Sequence, residues 1–142
     1  MDYRSLKIIH INATDCGGGA AIACSRHCEA MIKAGCDSHM LVVTKRGHQM
    51  FVPHSRWGWR SLLSTYYRVM STKRVGKLKA TGEFSIMRYG YPFYKVQSVK
   101  DADVIFLHWV NGSALSIDGV EDILKLNKPT FWYMHDMFPI TG

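Results

Sequence analysis

No apolar run in these 142 residues approaches the roughly 20 needed to span a membrane. Nor does the amino-terminal stretch resemble a secretory leader: residues 6–11 are apolar only over a strand's length and are broken by Lys7 and His10. The expected compartment is the cytoplasm. Internal repeats and low-complexity tracts are missing too, which leaves about one ordinary domain, long enough to bury a real core.

Cys-x-x-Cys is also lacking. The four cysteines, Cys16, Cys24, Cys28 and Cys36, fall close together, and Cys24 and Cys28 are four apart on an expected helix beside His27. Zinc therefore has to be considered, but no second ligand pair has matching spacing. Small thiols buried in a core helix are the favoured reading, with no metal site and no disulfide framework.

Acidic residues are missing between Asp37 and Glu83, where Lys45, Arg46, Arg56, Arg60, Arg68, Lys73, Arg74, Lys77 and Lys79 lie. The net charge of +7 thus comes from one basic segment in an otherwise balanced chain. No helix-turn-helix, zinc-finger or RNA-recognition pattern accompanies it, so nucleic acid is not the expected partner.

What is present alternates between two periods. Residues 6–12 and 38–44 read as strands flanking a helix over 20–34 that Gly35 closes, a strand–helix–strand unit favouring a parallel sheet. Trp59, Leu62, Leu63, Tyr66, Tyr67 and Met70 form a helical stripe, expected by default on the core. Residues 71–81 are basic and aperiodic, 83–87 suit a short strand, and Tyr89-Gly-Tyr-Pro-Phe93 reads as a turn. Residues 103–108 form a buried strand, 116–126 a helix, and 130–134 a last strand buried on both faces. The alternation predicts an α/β, Rossmann-like parallel sheet with helices on both faces.

Three polar motifs lie just past strand ends, where open α/β sheets bind ligands. They are Gly17-Gly18-Gly19 after the first strand, His108-Trp109-Val-Asn111 after a middle one, and His135-Asp136 after the last. Successive glycines at a strand-to-helix turn let backbone N–H groups approach a phosphate. A tight-packing turn is the alternative. Gly17-x-Gly19 begins a dinucleotide fingerprint, but its third glycine position is Ile22. Lys45-Arg46 stands where an acid would hold a ribose, which keeps an NADP-binding oxidoreductase open. A Walker loop is excluded, since Gly76-Lys77 is followed by Leu78. His135 and Asp136 alternate along a strand, so one is expected in the crevice and the other on a loop. His10, His39, His48 and His54 read as structural.

Taken together, these motifs resemble the retaining glycosyltransferases of family 4, in their bacterial polysaccharide-building branch. The resemblance rests on Gly17-Gly18-Gly19-Ala20-Ala21, on Val104-Ile-Phe-Leu-His108-Trp109-Val-Asn111-Gly112, on Lys128-Pro129, and on Trp132-x-x-His135-Asp136-Met137-x-Pro139-x-Thr141-Gly142. It implies two Rossmann-like domains facing across a cleft (the GT-B arrangement). Residues 1–142 would be the N-terminal, acceptor-side domain, short of its own C-terminal end and of the donor domain. Such an enzyme moves a sugar with retention from a nucleotide-sugar to a saccharide or lipid-linked acceptor, typically without a metal or other cofactor. The resemblance assigns His135 and Asp136 to catalysis. Gly17, Gly18, Gly19, His108, Trp109 and Asn111 would bind donor or acceptor. It also suits a peripheral site on the inner membrane face, through Arg56, Trp57, Trp59, Arg60, Arg68, Lys73 and Arg74, since basic aromatic helices lie on anionic bilayers. The fragment alone is expected to be inactive, with self-association through exposed apolar surface left open. A non-catalytic membrane-surface module remains a further alternative.

Overall fold

The computed structural model describes residues 6–47, 66–67, 69–70, 73 and 87–141. Four parallel strands form one sheet in the order β2-β1-β3-β4: β1 (Lys7–Thr14), β2 (Asp37–Thr44), β3 (Val104–Leu107) and β4 (Thr130–Trp132). Helix α1 (Gly19–Lys33) connects β1 to β2. A short 3-10 turn (Phe93–Lys95) and α2 (Gln97–Lys100) lead into β3. Helix α3 (Ile117–Leu124) joins β3 to β4, and α4 (Phe138–Thr141) follows. The chain is α/β with the expected Rossmann-like parallel sheet. Among the described residues no helix is long and apolar enough to cross a membrane.

Strand alternation divides the interior in two. Ile9 and Ile11 of β1 and Ile105 and Leu107 of β3 join Leu41, Val99, Leu115 and Ile123 of α3 in the main apolar core. Each such side chain contributes about 2 kcal/mol through burial. The other face of β1 and β3 carries His10 and Asn12, and Phe106 and His108; α1 covers it with Cys24 and Cys28, packed on Met40. The two layers therefore differ in kind: one is hydrocarbon, the other holds imidazole, amide and thiol groups.

Local signals explain the helix ends. Gly35 (φ 92°) takes the left-handed position after α1, with its N–H bonded to Ile32 O at 2.9 Å and Cys36 N–H bonded to Met31 O at 3.0 Å. That is a Schellman closure, as the glycine predicts. Ser116 caps α3 by accepting the Gly119 N–H at 3.0 Å. Gly90 lies so close to the Leu115–Ser116 backbone that no Cβ fits, which ties the 89–93 turn under the start of α3.

Several expectations change. Among the described residues the last strand is an edge, not a strand buried on both faces: it pairs there with β3 alone, ends at Trp132, and leaves Phe131 54% exposed. Its length of apolar sequence misled, because exposed aromatics read like buried ones. Met87 lies outside any strand, and residues 83–86 lie outside the described residues. Half of the aromatic stripe (Trp59, Leu62 and Leu63), with Arg56, Trp57, Arg60, Arg68 and Arg74, also lies outside them. Positions 66, 67, 69, 70 and 73 are helical, with Tyr66 and Lys73 exposed and Tyr67 stacked on Tyr89 at 6.0 Å.

Candidate functional site at the carboxyl edge of the sheet

From the adjacent strands β1 and β3 the chain continues in different directions: β1 leads through α1 to β2 on one side, β3 through α3 to β4 on the other. That is the topological switch at which open α/β sheets form a crevice. Asn12, at the end of β1, fastens it. Its Oδ1 accepts the Trp109 N–H at 2.8 Å, and its Nδ2 donates to Thr14 O at 2.7 Å. Ala13 N–H donates to Trp109 O at 2.9 Å, so the loop after β3 is held on the loop after β1.

Beyond this clamp the two later motifs meet. Asp136 Oδ2 accepts from Trp109 Nε1 at 3.1 Å and from Asn111 Nδ2 at 3.4 Å. His135 turns the other way, with Nε2 3.0 Å from His108 Nδ1 and its ring stacked on that of His108 at 5.3 Å. The two side chains diverge, as their alternation along the chain predicts. His135 joins the histidine layer, while Asp136 binds the loop that carries Trp109 and Asn111. The two are not a dyad. Asn111 Oδ1 is buried without a partner.

Below His135 the contacts continue inward. His108 Nε2 is 3.1 Å from His10 Nδ1, and His10 Nε2 is 3.1 Å from Ser38 Oγ. Ser38 Oγ in turn lies 3.4 Å from Cys28 Sγ. A neutral imidazole has one donor and one acceptor nitrogen, so along this row all protons point the same way. Burial keeps the inner rings neutral: it is the main cause lowering the pKa of both His10 and His108 to about 3, with neighbouring histidines adding to it. Burial also lowers His135, against an upward pull from Asp136, and lowers His27. It pushes the thiols of Cys24 and Cys28 up.

The glycine loop shares this edge but touches neither His135 nor Asp136 in any recorded bond. Gly17 (φ 89°) turns the chain, Gly18 is the N-cap of α1 without a side-chain cap, and among the described residues no atom beyond the local backbone lies within 4 Å of a Cβ built on Gly17, Gly18 or Gly19. Among the described residues the first turn of α1 has no acidic residue and its N-cap makes no side-chain hydrogen bond, so its N–H groups lack a local side-chain cap. The loop after β2 is occupied from within the chain. Buried Asp15 accepts from the N–H groups of Arg46 at 2.7 Å and Gly47 at 2.9 Å.

Sequence reasoning set His10 aside as structural; the fold places both its ring nitrogens within hydrogen-bond distance of His108 and Ser38. It passed over Asn12 and Asp15 as site residues, and weighed His27 only for a zinc site that it set aside. The available signal was alternation: His10 and Asn12 stand two apart on one face of β1, pointing away from Ile9 and Ile11. None of the four cysteines forms a disulfide among the described residues, and Cys24 and Cys28 are buried. Compared with family models, curated proteins and solved structures, the chain finds no match.

Proposed function

We propose that this edge is one wall of the cleft of a retaining sugar transferase, acting from a nucleotide-sugar onto a saccharide or lipid-linked acceptor. The observation that carries the reading is the bonded convergence of His108, Trp109, Asn111, His135 and Asp136 at the β1–β3 switch point. The uncapped first turn of α1 beside three open glycines supports a role in holding the donor's phosphates or an acceptor oxygen. In the reaction, the acceptor hydroxyl oxygen bonds to the anomeric carbon and its proton passes to the departing diphosphate oxygen. The bond from that carbon to the diphosphate oxygen breaks, and the nucleoside diphosphate leaves with the electron pair. His135, kept neutral, offers a hydrogen bond to a donor hydroxyl or the leaving oxygen. Asp136 keeps Trp109 and Asn111 in place. The opposite wall, with most nucleotide contacts, would come from a second α/β domain, because aligning two substrates needs both sides.

The NADP reading would rest on the Lys45 and Arg46 side chains alone, since Asp15 already takes the backbone N–H groups of Arg46 and Gly47. The test is transfer by a longer chain carrying such a second domain. Sugar transfer with retained anomeric configuration, reduced at least a hundredfold by His135→Ala, is expected. A folded two-domain chain that neither transfers nor hydrolyses any nucleotide-sugar would overturn the proposal.

A further inference from the structure

We infer that His10, Cys24 and His108 form a buried binding site for a zinc-type divalent cation, with His27 beside it as a candidate fourth ligand. One ligating atom from each of the three lies within 4.8 Å of the others, and all three residues are buried. Two imidazole nitrogens and a thiol suit zinc-like ions better than magnesium or calcium, which seek oxygen.

The facing nitrogens, His10 Nδ1 and His108 Nε2, are 3.1 Å apart. Around a tetrahedral ion with bonds of about 2.0–2.1 Å, two nitrogens stand about 3.3 Å apart, so that pair needs little movement. Cys24 Sγ lies within 4.8 Å of both nitrogens, against about 3.5 Å around such an ion, so it moves by no more than about 1.3 Å. The outer nitrogens are already oriented as metal-bound histidines require: His10 Nε2 lies on Ser38 Oγ and His108 Nδ1 on His135 Nε2. A separate observation points the same way. His27 Nδ1 is buried without a hydrogen-bond partner, and its ring centroid is 4.9 Å from that of His10 and 5.9 Å from that of His108.

The proton count closes. With the cation bound, both facing nitrogens present lone pairs. The His10 proton is then on Nε2, donating to Ser38, and the His108 proton on Nδ1, donating to His135 Nε2. His135 keeps its proton on Nδ1. The Cys24 thiol loses one proton to solvent, the only net release. The site therefore sets the tautomer of His135 from inside the sheet. This inference does not depend on sugar transfer.

The test uses the full chain, stripped with chelator and titrated with Co²⁺ and then Zn²⁺. Expected are a thiolate-to-cobalt absorption band saturating at one equivalent, its displacement by Zn²⁺, and a zinc-dependent rise in the unfolding midpoint. Cys24→Ala should abolish the band, and Cys28→Ala should keep it. Cys24→Ser serves in the same way if the alanine variant does not fold. No thiolate band in the folded native chain would overturn the site. So would a band that survives both Cys24 substitutions, or one lost only in Cys28→Ala.

Discussion

At the residue scale, the unusual feature is a row of neutral imidazoles inside a domain. His10 has both ring nitrogens engaged and no exposed surface, so truncating it removes a packed ring and leaves His108 and Ser38 short of a partner. His10→Ala should cost about 3 kcal/mol of unfolding free energy, read from denaturant midpoints. Acid should act through the same residues. Their folded pKa values, near 3, lie below the unfolded value near 6.5, so below that value the unfolded chain binds more protons. Stability is full above about pH 6.5 and falls as pH drops toward 3, by up to about 1.4 kcal/mol per pH unit for each histidine. Denaturant titrations at several pH values, with chelator present, should show this slope. Histidine NMR signals that titrate normally in the folded chain would contradict it. Asp136 lies at the surface, so Asp136→Ala should cost less than about 1 kcal/mol of stability. It should nevertheless change Trp109 fluorescence, because the indole N–H loses its acceptor.

At the scale of elements, the strands and helix caps follow from local rules, and substitutions should show it. Gly35→Ala forces a side chain into the left-handed region that closes α1, at a cost of about 1–2 kcal/mol. Gly90→Ala should be worse, because its added methyl meets backbone rather than a movable side chain. Comparing the thermal midpoints of the two variants checks that order. The unit from β1 to β2 was legible because periodicity changes from 2 to 3.6 at Gly19 and stops at Gly35. β4 was misjudged because burial depends on neighbours: among the described residues Thr130–Trp132 has β3 on one side only, and hydrophobicity alone does not reveal an edge. The short 3-10 turn and α2, Phe93–Lys95 and Gln97–Lys100, left no periodic trace for the same reason that they are short.

At the scale of the whole molecule, the sheet order turns four distant stretches of sequence into one edge. Placing His108 and His135 past strand ends was possible from sequence, because a parallel sheet aligns those ends. Their direct bond, the clamp by Asn12 and the inward row to His10 were not legible. They depend on β1 lying beside β3, a pairing between residues almost a hundred positions apart. The central claim is that this edge recognises a nucleotide-sugar. The most direct measurement is an isotope-edited NMR titration of the chain with UDP-sugars and GDP-sugars, with NADPH as the comparison. Shifts concentrated at Gly17–Gly19, Trp109, Asn111 and His135 with a nucleotide-sugar are the predicted result. No response there to any nucleotide-sugar at millimolar concentration, with NADPH shifting Lys45 to Gly47 instead, would contradict the account.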